Sequence, residues 1–137
     1  ALHKRIEISV PVVDGTPDPS VFSESEMGDE LMEVLGDENV ECVLETRFHR
    51  KRFRIDTGTG IFELSVDKGT ILTNYGEEPI FEVELELFSG ETEELMELGE
   101  QLQEKYGLEV QELSKYARGI ELIKKGKREA KEAAAAK

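Results

Sequence analysis

Three segments of this sequence set like-charged residues two or four positions apart. Arg50, Arg52 and Arg54 form one set, Glu63 and Asp67 flank Ser65 in the next, and Glu82, Glu84 and Glu86 form the last. Successive side chains of an extended chain point to opposite sides, so each set shares one face of its strand. Carboxylates at i, i+2 and i+4 stand about 6–7 Å apart, and they repel unless a cation or facing arginines neutralise them. A polyphosphate site would supply both. Guanidinium groups make fork-shaped contacts to phosphate oxygens, while carboxylates hold Mg²⁺ or Mn²⁺, which bridges those oxygens and polarises phosphorus. The spacing leaves two arrangements open: a one-sided sheet with its polar face in water, or a barrel whose charged faces converge on a lumen.

Lys115 adds a smaller signal. It directly follows Ser114, a candidate N-cap, where the helix dipole disfavours a lysine by about 0.3–1 kcal/mol. Such a lysine either reaches an anion or pairs with Glu112 in solvent.

The elements that must position these residues follow from periodicity. Lys4 to Val12 alternates as a strand with Ile6, Ile8 and Val10 on one side. DGTPDPS is a loop, and Asp29 to Leu35 is a short helix closed by Gly36. A long strand from Glu41 to Asp56 turns at Thr57–Gly60 into a returning strand, Ile61 to Asp67, and Lys68-Gly69 turns the chain again. After a loop from Asn74 to Pro79, the run IFEVELELF puts Val83, Leu85 and Leu87 opposite its glutamates. A helix beginning near Thr92 carries Leu95, Leu98, Leu102 and Tyr106 at helical spacing and stops at Gly107. A second helix follows Ser114, with Tyr116, Ala117, Ile120, Leu122 and Ile123. Residues 124–137 are Lys, Glu and Ala without an apolar face, which predicts a solvated extension.

The charge distribution bounds the partners. In 137 residues, 31 acids oppose 17 Lys and Arg, a formal net charge of −14 that excludes duplex nucleic acid as a partner for the whole surface. The acidity is local: Glu77 to Glu112 holds 13 acids and one base, Lys105. The opposite cluster, Arg47, Arg50, Lys51, Arg52 and Arg54, is open to a plain explanation, cross-strand pairing with acids worth about 0.2–1 kcal/mol per pair. No apolar run approaches the roughly 20 residues of a spanning helix, and no signal peptide is visible, so no membrane partner is expected. The single cysteine, Cys42, cannot form an internal disulfide, which fits a cytoplasmic location. A start at Ala1 instead of Met suggests a fragment.

With these residues in hand, the sequence resembles the carboxy-terminal portion of a CYTH domain. This is the triphosphate tunnel metalloenzyme family, which includes bacterial inorganic triphosphatases, thiamine triphosphatase and class IV adenylate cyclases. LHKRIEISVPV resembles its R-x-E strand at Arg5 and Glu7, and TRFHRKRF its basic strand, with Arg50 at the functional arginine. IFELSVDKGTI resembles the acidic strand and D-x-G turn around Asp67, EPIFEVELELFSG the E-x-E-x-E strand, and LSKYARGIEL the S-K-x-x-R-G signature at Lys115 and Gly119. The similarity runs from Leu2 to Leu122, and the last two motifs are specific in combination.

The resemblance implies an α+β fold: an antiparallel β-barrel, the tunnel, incomplete in this chain and flanked by helices. Residues 1–123 would form the carboxy-terminal part of the domain and residues 124–137 the tail. Arg50 and Lys115 would act in catalysis and, with Arg52 and Arg5, in phosphate binding. Glu82, Glu84, Glu86 and Asp67 would hold Mg²⁺ or Mn²⁺, and Glu7, Glu63 and Arg54 are weaker transfers. The implied activity of the intact domain is metal-dependent hydrolysis of a linear triphosphate, inorganic tripolyphosphate ahead of thiamine triphosphate or ATP, and triphosphatase ahead of cyclase chemistry. The family's amino-terminal E-x-E-x-K strand, R-x-R strand and lysine strand have no counterpart here. Half the site is therefore expected to be lacking from this chain, and unpaired strand edges are expected to favour self-association. The rival readings are a non-catalytic polyphosphate- or nucleotide-binding module and a degenerate structural remnant.

Overall fold

The computed structural model describes residues 2–12 and 14–136. The chain divides into two units, Leu2–Val43 and Leu44–Lys137.

In the first unit, a 3-10 turn at Pro19–Phe22 begins where the Asp18 carboxylate accepts the Ser20 N–H at 3.0 Å and the Ser20 hydroxyl at 2.6 Å. It packs against helix α1, Gly28–Leu35. Asp29 and Glu30 favour the positive end of α1, and Gly36 ends it in a conformation of positive φ. The strand expected over Lys4 to Val12 is not formed. Alternation makes a segment competent for a sheet, but a strand exists only where a neighbour completes its hydrogen bonds, and Ile6 here is 76% exposed.

The second unit is an open antiparallel sheet in the order β1-β2-β3, formed by β1 (Glu45–Asp56), β2 (Ile61–Thr73) and β3 (Gly76–Ser89). Helices α2 (Thr92–Tyr106) and α3 (Lys115–Ala135) follow. Counting α1 of the first unit, the described residues hold three strands and three α-helices, an α+β content. β1 starts four residues later than the expected Glu41. Lys68-Gly69 does not turn the chain, because Gly69 pairs with Phe48 and β2 runs on to Thr73. A Cβ on Gly69 would meet the Arg47 carbonyl oxygen at 1.9 Å, so only glycine permits this approach. The expected loop from Asn74 to Pro79 shrinks to a tight connection, since β3 has a neighbour on one side only among the described residues and an edge strand tolerates Pro79.

The register aligns Arg50, Asp67 and Glu82 across the sheet, then Arg52, Ser65 and Glu84, then Arg54, Glu63 and Glu86. All the alternating polar sets therefore lie on one face. Helix α3 packs against β2 and β3. It starts where the Ser114 hydroxyl accepts the Ala117 N–H at 3.1 Å, and Gly119 lets it close on Leu44 and Ile71. Ile71 and Ile80, on the same face as Asp67, are buried. The helix continues through the Lys/Glu/Ala segment to Ala135, mostly exposed, and Tyr116 points to solvent instead of the core. Helix α2 packs against β3 with Leu95, Leu98 and Leu102 half-buried, and ends at Gly107 in the left-handed region. On the opposite sheet face Phe62 is buried, while Phe53 and Phe81 are exposed by 50% and 79%.

Candidate functional site

At the end of the polar face covered by α3, charges of both signs are packed together. The Asp67 side chain is fully buried. Arg50 approaches it as a fork, donating from Nε to Oδ1 at 2.6 Å and from Nη2 to Oδ2 at 2.7 Å. Lys115, one residue into α3, turns its ammonium onto three carboxylates: Asp67 at 2.9 Å, Glu84 at 2.8 Å, and Glu82. It does not pair with Glu112. Arg118 donates from Nη1 to Glu82 Oε2 at 2.8 Å and brings Nε to 3.4 Å from Glu78. The Phe48 ring, facing Gly69, lies beneath both the Arg50 guanidinium and the Lys115 ammonium, at 5.1 and 4.9 Å. That contact adds a cation–π attraction to each.

The electrostatics follow from this packing. The Arg50 hydrogen bonds hold the Asp67 carboxyl below its ordinary range against the opposing effect of burial, with Lys115 adding to the pull. Burial pushes Glu82 up, but the hydrogen bonds from Lys115 and Arg118 outweigh it and leave the carboxyl lowered. Burial likewise works against the Lys115 ammonium, and the bonds to Glu82, Glu84 and Asp67 reverse the balance and raise it. Arg50 is raised chiefly by its bond to Asp67. Every one of these groups is charged near neutral pH.

One oxygen from each of Asp67, Glu82 and Glu84 falls within 4.8 Å of the other two. Three converging carboxylates are a donor set for a hard divalent cation, which takes oxygen ligands. Glu86 shares their face but is exposed and makes no ion pair among the described residues. Arg52 is exposed and reaches Glu63 at 3.6 Å, and Arg54 lies beyond it towards the Thr57–Gly60 turn. The basic strand is thus partly explained by cross-strand pairing with acids, and Arg50 alone of the alternating arginines joins the buried cluster. Arg5 and Glu7 lie in the Leu2–Val43 unit and approach each other at 3.7 Å, both well exposed.

Periodicity on the strands did not point to Arg118, Phe48 or Glu78. For Arg118 a signal was present: it lies three residues after Lys115 just inside a capped helix, a spacing that puts both on one face. Phe48 and Glu78 required the register.

Compared with known families, residues 3–120 match the model of the CYTH domain, so the similarity covers most of the chain. The match spans the basic strand, the acidic strands and the S-K-x-x-R-G segment whose residues meet in this cluster, and the chain belongs to the CYTH domain family.

Proposed function

We propose that this chain carries part of a triphosphate tunnel that binds a linear triphosphate, inorganic tripolyphosphate in the first place, and in the complete domain hydrolyses it with a divalent metal. The observation behind this is the meeting of Asp67, Glu82 and Glu84 with Arg50 and Lys115 on one sheet face, all within a family whose members bind triphosphates. Asp67, Glu82 and Glu84 would hold Mg²⁺ or Mn²⁺, which when bound would polarise a phosphoryl oxygen and offset its charge. Arg50 and Lys115 would bind phosphate oxygens and stabilise negative charge as it develops. Arg52, exposed on the same face, would hold a more distant phosphate, with Glu86, Glu63 and Arg54 in lesser roles and Arg5 and Glu7 the least supported. The three strands would be one wall of the barrel, within a domain part of residues 1–123. Residues 124–137 would be a tail, with residues 124–135 mostly exposed along the last turns of α3.

A specific observation favours the rival reading of a non-catalytic module or structural remnant. The carboxylates are already neutralised by Arg50, Lys115 and Arg118, so the cluster is stable as an ion-pair network in its own right. Phosphate release from tripolyphosphate by the complete domain, with and without Mn²⁺, separates the readings. Metal-dependent release supports the triphosphatase. Retention on a polyphosphate resin without release leaves a binding module, and neither leaves a remnant. No helix among the described residues is long and apolar enough to cross a membrane.

A further inference from the structure

Glu82 is held by α3 through both of its oxygens. Lys115 takes Oε1, and Arg118 donates to Oε2 at 2.8 Å. The two cations stand in different situations. The Lys115 ammonium sits where the three carboxylates converge, bonded to each of them, which is the position a divalent ion would need. Arg118 stands on the far side of Glu82, its side chain only 10% exposed, and reaches neither Asp67 nor Glu84. Its Nε and Nη2 are buried without a hydrogen-bond partner. With Nε no nearer than 3.4 Å to Glu78, the 2.8 Å bond to Glu82 is the close contact through which this buried guanidinium acts.

We infer that Arg118 is a positioning residue for the cation site, fixing Glu82 by Oε2 so that Oε1 faces Asp67 and Glu84, and that Lys115 is the exchangeable occupant, displaced when a divalent ion enters. This rests on the reading of Asp67, Glu82 and Glu84 as cation ligands. Charge supports the exchange: a doubly charged ion added beside Lys115 would meet both the ammonium and the Arg50 guanidinium, whereas in its place it meets three carboxylates with Arg50 as the one cation still on Asp67. Partners that orient a ligand carboxylate in this way typically change metal affinity 10–100-fold. The released ammonium, on the first turn of α3, is then free to contact an anion such as phosphate.

Calorimetric titration with Mn²⁺ alone, on the whole chain without phosphate, tests this in the wild type, Arg118→Gln, Arg118→Lys and Lys115→Met. The expected results are binding weakened at least tenfold in Arg118→Gln, partly recovered in Arg118→Lys, and tightened about tenfold or more in Lys115→Met. Wild-type affinity in Arg118→Gln would overturn the positioning role, and unchanged or weaker affinity in Lys115→Met would overturn the exchange. Absence of Mn²⁺ binding in all four would remove the cation reading itself, and this inference with it. Should Arg118→Gln or Lys115→Met fail to fold, the Lys115 Nζ resonance of the wild type, assigned by its loss in Lys115→Arg, decides the exchange. Mg²⁺ should shift it to the position of solvated lysines, and an unmoved resonance at saturating Mg²⁺ would overturn the proposal. Arg118→Lys, which keeps the charge, then carries the test of the positioning role, with weaker Mn²⁺ binding expected and wild-type affinity overturning it.

Discussion

The two ends of one sheet face behave differently although the sequence writes them alike. At one end Arg50, Asp67, Glu82 and Glu84 are drawn into a packed network beneath the first turn of α3. At the other, Arg54 and Glu86 stay in solvent, with Glu63 half-buried and 3.6 Å from Arg52. Alternation is the same throughout, so it does not decide which charges form a site. The helix does. Gly119 lets α3 close on Ile71 and Leu44, and this sets Arg118, next to it, and Lys115, one turn earlier, over the acids.

The largest difference should appear in stability. Asp67→Ala removes a fully buried carboxylate and strands Arg50 and Lys115 without it, so urea unfolding should show a loss of about 3–5 kcal/mol. Glu86→Ala at the exposed end should stay within about 0.5 kcal/mol of wild type. A similar loss in both variants would erase the distinction between the two ends.

Acid should reproduce the same contrast more gently. Asp67 and Glu82 have folded-state values lowered from the ordinary carboxylate range. Their contribution is therefore complete above the unfolded-state values of about 3.9 and 4.3 and is lost as pH falls through the folded ones. Lys115 is raised, so its contribution is complete below about 10.4 and is lost only as pH rises through its folded value. Stability from the cluster should be level through neutral pH and decline in acid below about pH 4. An Asp67→Asn, Glu82→Gln variant should show a shallower acid decline in a urea series taken across pH, and an unchanged slope would mean that other carboxylates govern it.

How much of this was legible beforehand differs by element. Strand faces were read correctly for β3 and for Phe62 to Val66 because period-two alternation survives any register. The Lys4 to Val12 strand was not, since whether a segment pairs depends on a neighbour that no local pattern reveals. Gly69 misled as a turn residue because its purpose is close approach to Phe48, a fact of pairing. Within the candidate site, Asp67, Glu82 and Glu84 stood out by alternation and by family motif. Their separation from Glu86 could not be seen, because it arises from where α3 docks.

A smaller effect concerns association. Phe53 and Phe81 are exposed on the opposite face, and β1 and β3 each have one paired neighbour among the described residues. Sedimentation equilibrium should give a mass that rises with concentration as edges or apolar faces meet. A constant monomer mass would show that both are tolerated in solvent. Arg54→Ala should leave that behaviour and the stability nearly unchanged, within about 0.5 kcal/mol.

The central claim, that the covered end of the polar face is a cation site and the open end is not, is tested most directly by Mn²⁺ titration of Glu82→Gln against Glu86→Gln. Glu82→Gln should abolish the binding seen in the wild type, and Glu86→Gln should retain it. Equal affinity in the two variants, whether both bind or neither does, would contradict the account and leave the cluster a self-neutralised ion-pair network.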